Sequence, residues 1–273
     1  MKKTNIVITG CSTGIGLETA KHLKERFVNV YATARKQEDV EMLKGLGFKD
    51  AMLLDVTKPQ QIADVIAYVL EEDGQIDVWF NNAGFGQVGA VEDVPTDTLR
   101  EQFETNVLGL HECTRQIIPI MRKQGFGKII QHSSVLGLVS LALRGAYNAT
   151  KYAIEGLTDT LRLELKDTNI DVILLNTGPV TSNFRENALK KMYENIDIEN
   201  SIFKVLYEKN IAGKHKKVPF NEEASSVAKV VHSIILSPKP KPRYYITKAT
   251  YLLGYGKRIF STTLLDKFLA KIG

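Results

Sequence analysis

A tyrosine and a lysine four residues apart, Tyr147 and Lys151, are the side chains of this sequence most suited to acid–base chemistry. The surrounding residues predict a helix, and side chains four positions apart lie on the same face of a helix. A nearby ammonium favours the phenolate and lowers the pKa of a tyrosine from its usual value of about 10. Such a tyrosine could protonate a carbonyl oxygen or deprotonate an alcohol near neutral pH. Taken alone, the spacing is also typical of two ordinary neighbours on a helix.

A serine, Ser134, precedes this pair at the end of a predicted strand. Open parallel sheets bind their ligands at the carboxyl ends of the strands. The Ser134 hydroxyl is therefore placed to hydrogen-bond the reacting oxygen of a substrate. Ser133 is the competing candidate, and a serine in an ordinary turn is the alternative interpretation.

A glycine-rich loop lies near the start of the chain, where residues 9–16 read TGCSTGIG. It follows a predicted strand and opens a predicted helix, which is the setting of a dinucleotide-binding loop. Glycine permits the close approach of a pyrophosphate, and the helix N-terminus offers free N–H groups to that anion. The loop therefore predicts nucleotide binding by Gly10, Ser12, Gly14, Ile15 and Gly16.

The end of the second predicted strand indicates which dinucleotide binds. Folds that select NAD usually place an acidic residue there to hold the ribose 2′-hydroxyl. Here Ala34 occupies that place and is followed by Arg35 and Lys36. Since an arginine can pair with a 2′-phosphate and a carboxylate would repel it, these residues favour NADP(H) over NAD(H). A solvated surface arginine is the alternative.

Alternating strand-like and helix-like segments occupy the first two thirds of the chain. This alternation predicts an α/β fold, a Rossmann-like doubly wound parallel sheet with helices on both faces. The predicted strands cover residues 5–9, 28–34, 51–56, 78–81, 128–132, 170–176 and 244–247. The predicted helices cover residues 14–26, 38–46, 59–72, 97–123, 145–166 and 222–237.

The sequence predicts a single domain over residues 1–273, because no linker separates independent units. Its core comprises residues 4–182 and 222–248, and a polar, helix-permissive segment, residues 183–221, lies between them. The tail, residues 249–273, is apolar and basic with roughly helical spacing. Packing against the body, contact with a second subunit and contact with a membrane surface are the three alternatives for this tail.

Composition excludes several classes of protein. With 44% hydrophobic and 25% charged residues, the chain is neither disordered nor collagen-like. The net charge of +5 comes from scattered residues, so nucleic-acid binding is not expected. The only two cysteines, Cys11 and Cys113, indicate a reducing compartment, which we take to be the cytoplasm. The five histidines lack metal-ligand spacing, so no metal is predicted.

Seven short motifs in chain order resemble those of the short-chain dehydrogenase/reductase family. They span about residues 4–182, and their ordered co-occurrence is far more specific than any one of them. The motifs are TGCSTGIG at 9–16, Asp55-Val56, NNAG at 81–84, Asn106 in TNVLG, Ser134 in SSVLG, YNATK at 147–151 and GPVTS at 178–182.

The resemblance implies a role for each motif. Tyr147 is the implied acid–base, and Lys151 holds the nicotinamide ribose and lowers the pKa of the tyrosine. Ser134 orients the substrate carbonyl, and Asn106 holds a water of a proton relay. The implied cofactor contacts are Asp55 and Val56 with adenine, Asn82, Ala83 and Gly84 with its ribose, and Pro179, Val180, Thr181 and Ser182 at the nicotinamide end.

Two positions depart from the family pattern. Residues 176–179 read Asn-Thr-Gly-Pro where Pro-Gly is frequent, which concerns the backbone near the nicotinamide and not the reaction. Ser182 stands where threonine is frequent, with Thr181 beside it. Either hydroxyl could make the contact at the nicotinamide end.

Within the family, the resemblance is to hydroxysteroid and retinol dehydrogenases, which share a YATAR-like second strand and a long C-terminal extension. It implies that residues 183–221 and the tail form a helical extension that covers an apolar ketone, aldehyde or alcohol. It also implies a homodimer or homotetramer formed through the helices of Asn106 and Tyr147.

Three functions compete at this point. An NADP(H)-dependent carbonyl reductase, reversible as an alcohol dehydrogenase, is the leading hypothesis. A non-catalytic NADP-binding redox sensor has no need of an intact Ser134, Tyr147 and Lys151. The glycine spacing TGxxxGxG argues against a sugar-nucleotide epimerase.

Overall fold

Two parallel sheets form the framework of the computed structural model, which describes residues 3–212 and 218–271. The strands are β1 (Thr4–Ile8), β2 (Val28–Ala34), β3 (Met52–Leu53), β4 (Val78–Asn81), β5 (Gly127–Ser134), β6 (Ile170–Thr177), β7 (Val180–Thr181), β8 (Glu222–Glu223) and β9 (Arg243–Ile246). The main sheet has the order β3-β2-β1-β4-β5-β6-β9, and β7 pairs with β8. This order confirms the predicted doubly wound fold, with the switch point between β1 and β4.

Helices cover both faces of the main sheet. In the described residues they are α1 (Gly14–Lys24), α2 (Gln37–Gly45), α3 (Pro59–Asp73), α4 (Thr96–Phe103), α5 (Leu110–Gln124), α6 (Gly145–Glu164), α7 (Phe184–Asn195), α8 (Lys204–Ala212), α9 (Ala224–Leu236), α10 (Lys248–Ile259) and α11 (Thr262–Leu269). Apolar residues of α1, α2 and α9 pack on one face of the sheet, and those of α3 and α5 pack on the other.

The core is split between these two faces because successive strand residues point to opposite sides. Ile6 and Ile8 of β1 pack with the α1, α2 and α9 layer, whereas Val7 packs with the α3 and α5 layer. All three are fully buried. Continuous apolar runs such as the one in β1 therefore follow from a sheet that is covered on both faces.

The third strand is shorter than the sequence predicts, because only Met52 and Leu53 pair with β2. The chain turns immediately afterwards, where one carboxylate oxygen of Asp55 accepts hydrogen bonds from the Thr57 N–H at 3.0 Å and the Thr57 hydroxyl at 2.8 Å. An aspartate that bonds the backbone two residues on favours a turn over a continued strand.

The helix predicted over residues 97–123 is present but not uniform. A π-helical segment, Glu104–Gly109, lies between α4 and α5 and contains Asn106. Such wide turns are rare and occur frequently at functional sites. The other end of this segment meets the turn after β3, since a Cβ on Gly109 would lie 2.6 Å from the Val56 side chain.

Residues 183–221 form α7 and α8 and the connections around them, and residues 213–217 lie outside the described residues. Met192 of α7 and Tyr207 of α8 are fully buried and pack with Val88 and Leu143. Since Leu143 lies just before α6, this segment adjoins the start of the helix that carries Tyr147. Its role as a cover for substrate stays a prediction.

The tail forms α10 and α11, and α11 folds back onto the loop after β5. Leu265 and Leu269 are buried against Val135 and Val139, so this part of the tail packs against the body. Subunit and membrane contacts stay predictions. The tail also exposes large apolar side chains, namely Tyr251, Leu252, Tyr255, Ile259, Phe260, Leu264 and Phe268.

Replacement of Gly16 by alanine is expected to destabilise the fold. The added Cβ would lie 2.2 Å from the Gly10 carbonyl oxygen and 2.6 Å from the Asn82 amide, and the first of these is backbone that must move. We expect the free energy of unfolding in urea to fall by about 1–3 kcal/mol. Gly45→Ala is the control, since its Cβ meets nothing within 4 Å and alanine gains about 0.5–1 kcal/mol in a helix. Equal stability of the two variants would contradict this packing.

Candidate active site

The loop between β1 and α1 lies at the carboxyl edge of the sheet and has the form that a dinucleotide needs. Gly10 and Gly14 adopt positive φ angles of 73° and 60°, which glycine tolerates best. A Cβ on Gly14 would lie 3.5 Å from the Ser182 Cβ, an ordinary van der Waals distance, so the backbone at Gly14 is not tightly packed. The loop thus leaves backbone N–H groups and the N-terminus of α1 open to a pyrophosphate.

The NNAG segment after β4 holds this glycine loop in place. The Asn82 side-chain amide donates to the carbonyls of Thr9 and Gly10 at 2.9 and 3.0 Å. In return, the Thr9 hydroxyl accepts the N–H groups of Asn82 and Ala83 at 3.0 and 2.9 Å. The Asn82 amide is therefore engaged with the loop, and the exposed Gly84 is the member of this segment most open to a ligand.

The end of β2 carries the basic pair as the sequence predicts. Ala34 is fully buried, whereas Arg35 and Lys36 are exposed at the carboxyl edge of the sheet. Cys11 of the glycine loop donates its N–H to the Thr33 carbonyl at 2.7 Å, which brings the loop against the end of β2. The basic side chains and the pyrophosphate loop thus share one groove edge, together with Asp55 after β3.

The two candidate serines at the end of β5 point to different partners. The buried Ser133 hydroxyl donates to the Glu155 carboxylate, away from the groove. The Ser134 hydroxyl accepts the Leu136 N–H at 3.1 Å, donates to the Thr177 carbonyl at 3.4 Å and lies near enough to the Tyr147 phenol to act on its pKa. The geometry therefore selects Ser134 as the serine beside the phenol.

Tyr147 and Lys151 share one face of α6, as their spacing predicts. The Lys151 ammonium lies 5.5 Å from the centre of the Tyr147 ring and donates a hydrogen bond of 2.7 Å to the His132 carbonyl in β5. The other side of the Tyr147 ring packs with Phe184 of α7, with ring centres 5.3 Å apart. The Tyr147 ring is thus in contact both with Lys151 of its own helix and with α7.

The pKa of Tyr147 is not lowered in this structure, contrary to the expectation from the Tyr147–Lys151 pair. Burial raises it above its usual value, and the hydrogen bond with Ser134 opposes this only in part. The Lys151 ammonium lies over the Tyr147 ring and donates a hydrogen bond to the His132 carbonyl, so it does not stabilise a phenolate directly. The phenol is consequently a proton donor at neutral pH.

Burial also lowers the pKa of Lys151, to about 8, although the Glu155 carboxylate one turn further along α6 opposes the shift. The neighbouring His132 ring is buried as well, and burial followed by the charge of Lys151 lowers its pKa to about 3. This neutral ring bridges the Asn82 amide oxygen and the Thr177 hydroxyl, each at 3.0 Å. His132 therefore links the ends of β4, β5 and β6 without carrying charge.

Asn106 lies in the π-helical segment with its amide fully engaged. Its oxygen accepts the Phe85 N–H at 3.0 Å, and its nitrogen donates to the Phe85 carbonyl at 2.8 Å and to the Thr150 hydroxyl at 3.3 Å. Thr150 precedes Lys151, so Asn106 braces α6 against the chain after β4. The implied water of a proton relay stays a prediction.

The GPVTS segment carries the hydroxyls of Thr181 and Ser182, either of which the sequence allows at the nicotinamide end. The structure gives these two hydroxyls different surroundings. Thr181 is tied to β8, where its hydroxyl accepts from the Asn221 amide at 2.7 Å and donates to Glu223 at 3.1 Å. Ser182 instead approaches Gly14 of the glycine loop. Ser182 is therefore the residue of the two that lies beside the glycine loop, and its hydroxyl accepts the Phe184 N–H at 3.4 Å, while Pro179 and Val180 lead the chain out of β6.

A buried polar cluster beneath Lys151 is absent from the sequence predictions. The Glu155 carboxylate binds Ser133, Asn176 and Arg243, and Arg243 also contacts Asp159 and the Asn176 amide oxygen, the latter at 2.9 Å. Glu155 is four positions after Lys151, which was the available signal. Nothing in the sequence pairs it with Arg243, which lies 88 residues away.

Within residues 3–212 and 218–271, no group of three or more His, Cys, Asp or Glu side chains could hold a metal ion. Over the same residues, none of the helices has the length and apolar content needed to cross a bilayer.

The family model of the short chain dehydrogenases matches residues 4–193. This chain belongs to the short-chain dehydrogenase family. The resemblance carried by the seven motifs is thereby confirmed, and the protein is an oxidoreductase of that family.

Relatives of this short-chain dehydrogenase include both bacterial and human proteins. An uncharacterized oxidoreductase, YbbO, of Escherichia coli K12 is 36% identical over 97% of this chain and 93% of its own length. Human 17-beta-hydroxysteroid dehydrogenase type 1 is 32% identical over 91% of this chain and 79% of its own. Human retinol dehydrogenase 8 is 33% identical over 68% of this chain and 62% of its own length. The similarity to hydroxysteroid and retinol dehydrogenases is thus confirmed.

A solved structure of a short-chain dehydrogenase from Streptomyces avermitilis has the same fold as this chain. It superimposes with a TM-score of 0.79 at 26% identity, over 98% of this chain and 96% of its own. The described residues on both sides of residue 182 therefore follow a known short-chain dehydrogenase architecture.

Affinity for NADPH is expected to fall as the pH rises through about 8, where Lys151 loses its proton. The loss of one charged hydrogen-bond donor corresponds to about 10- to 100-fold in the dissociation constant. Fluorescence titration of NADPH into the protein at pH values from 6 to 10 measures this dissociation constant. Lys151→Arg keeps its charge over this range and serves as the control. Identical pH profiles for the two proteins would contradict the assignment.

Proposed function

We propose that this short-chain dehydrogenase is NADP(H)-dependent and transfers a hydride between the nicotinamide and an apolar ketone, aldehyde or secondary alcohol. The observation that supports this most is the meeting of the Ser134 and Tyr147 hydroxyls beside Lys151, at the sheet edge where the glycine loop opens. Two hydroxyls in contact can share one carbonyl oxygen between them.

The proposed reaction uses the proton of Tyr147. NADPH held by the glycine loop and Lys151 would supply the hydride for the carbonyl carbon. Ser134 and Tyr147 donate hydrogen bonds to the carbonyl oxygen, and Tyr147 gives it a proton as the carbon is reduced, so that an alcohol forms. The raised pKa of the buried phenol means that Tyr147 carries its proton when a carbonyl substrate binds at neutral pH.

The other proposed contacts hold the dinucleotide. Lys151 would bind the nicotinamide ribose, and Ser182 and Val180 would meet the nicotinamide end. The remaining contacts are proposed for Gly10, Ser12, Gly14, Ile15 and Gly16 at the pyrophosphate, Arg35 and Lys36 at the 2′-phosphate, and Asp55, Val56, Asn82, Ala83 and Gly84 around adenosine.

The preference for NADP(H) is supported by charge at the end of β2. Arg35 is exposed and forms no ion pair within the part of the chain that the structure describes, so its charge is available to a phosphate. The absence of a carboxylate at Ala34 removes the group that would repel this phosphate.

An apolar substrate is supported by the wall next to Ser134. Val135 and Val139 of the loop after β5 pack with Leu253 and Leu265 of the tail, which encloses that side of the site with apolar side chains. Apolar walls of this kind are typical of small-molecule sites. The steroid and retinol in the names of two relatives are substrates of the same character.

Tyr147→Phe removes the proton donor and is expected to lower the rate of carbonyl reduction by about 10²- to 10⁴-fold. NADPH affinity, measured by fluorescence, should stay within a few fold. Tyr152→Phe is the control on the same helix, since its exposed hydroxyl bonds only the Leu138 carbonyl at 2.9 Å. A panel of steroid, retinoid, fatty and small aromatic carbonyls, with NADPH consumption as the readout, identifies the test substrate.

The outcomes of this experiment separate the competing functions. Unchanged turnover in Tyr147→Phe would end the acid–base assignment. A wild-type protein that binds NADPH tightly and reduces nothing in the panel would instead favour the redox sensor.

Ala34→Asp with Arg35→Ala is expected to shift the coenzyme preference toward NADH. Loss of one charged hydrogen bond, together with repulsion by the new carboxylate, corresponds to about 10- to 100-fold in the ratio of kcat/KM values. Arg122→Ala, an exposed arginine at the end of α5, is the control and should leave the ratio unchanged. A wild type that already prefers NADH would refute the charge argument.

A further inference from the structure

Two arginines flank Tyr147 on different elements. Arg144 is the N-cap residue of α6, three positions before Tyr147, and side chains three apart on a helix have Cβ atoms about 5–6 Å apart. Arg185 follows Phe184, whose ring packs against that of Tyr147. Arg144 thus adjoins the Tyr147 helix at its start, and Arg185 lies on α7 next to the residue that contacts the Tyr147 ring.

These two positive charges are close together and have no carboxylate partner. Within residues 3–212 and 218–271, neither side chain forms an ion pair. Arg144 makes only two long hydrogen bonds, each of 3.4 Å, to the Leu143 carbonyl and the Asn210 amide oxygen. Burial, and after it the charge of Arg185, lowers the pKa of Arg144 to about 10. Burial also lowers the pKa of Arg185.

Arg243 shows how this fold accommodates a guanidinium whose partners lie inside the chain. It is more than three-quarters buried, and the Glu155 and Asp159 carboxylates both bind it. Burial disfavours its charge, but these contacts outweigh burial and raise its pKa. Arg144 lacks such compensation although it is partly buried beside the charge of Arg185, and an anion supplied by a ligand would offset that cost.

We propose that Arg144 and Arg185 bind an oxyanionic group of the substrate, most simply a carboxylate, while Tyr147 and Ser134 hold its carbonyl. Arg144 is half-buried and Arg185 is exposed, so both side chains keep surface that a ligand can contact. Guanidinium groups suit carboxylate and phosphate oxygens because they donate several hydrogen bonds in one plane. This inference rests on the proposed function and narrows its substrate class.

The rest of the substrate is apolar. The site has a wall of Val135, Val139 and Leu265 on the side of Ser134, and the arginines lie on the side of α7. The class that fits both sides is an amphipathic oxo acid or hydroxy acid, with a hydrocarbon body and an anionic group near the reacting carbon.

Matched probes test this inference. We expect wild-type protein to reduce 4-oxononanoate with a kcat/KM about tenfold or more above that of its uncharged methyl ester. Arg144→Gln and Arg185→Gln should each lower this acid-to-ester ratio about tenfold. Arg144→Lys, which keeps the charge, should retain part of it. Arg100→Gln, which alters an exposed arginine paired with Asp97, should leave it unchanged.

A binding measurement keeps the test independent of turnover. Calorimetric titration of nonanoate into the protein with NADPH should give a dissociation constant that rises about tenfold in Arg144→Gln. If neither 4-oxononanoate nor its ester is reduced, the proposed reaction fails, and this titration still decides whether the anion site exists.

Three results bear on the source of the anion. A still stronger preference for 4-oxononyl phosphate, lost in the same variants, would support the anion site with a phosphate ester as its ligand. No preference for either anion over the ester in wild type would overturn the proposal. A higher KM for NADPH in the glutamine variants, with an unchanged acid-to-ester ratio, would also overturn it, since the arginines would then serve the cofactor.

Discussion

Lys151 extends from the middle of α6 to the main chain of β5, where its ammonium donates a hydrogen bond of 2.7 Å to the His132 carbonyl. This contact fastens the helix that carries Tyr147 to the strand that ends at Ser134. Because both hydroxyls are borne by regular elements, the docking of α6 on the sheet sets their separation, and loop motion does not. A buried ammonium is tolerated only where its hydrogen bonds are made, so the same contact that positions the lysine also keeps its charge inside the protein.

The charged side chains around α6 differ in whether they have partners of opposite charge among the described residues. Below Lys151, Glu155 and Arg243 neutralise each other within the chain, and the cluster joins α6 to β6 and β9. Above it, Arg144 and Arg185 remain without an acidic partner among the described residues. A buried ion pair with a complete set of hydrogen bonds contributes rigidity, whereas two neighbouring like charges repel each other and gain free energy when an anion binds between them. The part of α6 after Lys151 is thus anchored to the sheet, and the start of α6 belongs to the proposed anion-binding surface.

The sequence predicts much of the site because its chemistry is local. The spacing of Tyr147 and Lys151 is a property of one helix, and the glycine loop is a property of one strand–turn–helix junction. The basic end of β2 is equally local, as Arg35 and Lys36 follow directly on Ala34. Parallel strands all end at the same edge of a sheet, so the α/β alternation alone brings these segments together.

The amino-acid sequence by itself determined the family, the doubly wound sheet and the residues at its carboxyl edge, because each depends on short-range periodicity or on motifs read in order. Tertiary structure alone decided that burial raises the pKa of Tyr147 and that Ser133 turns away to Glu155. It alone decided that Ser182, and not Thr181, faces the glycine loop. These outcomes depend on desolvation and on contacts between residues far apart in the chain, such as Glu155 and Arg243, and no local pattern carries that information.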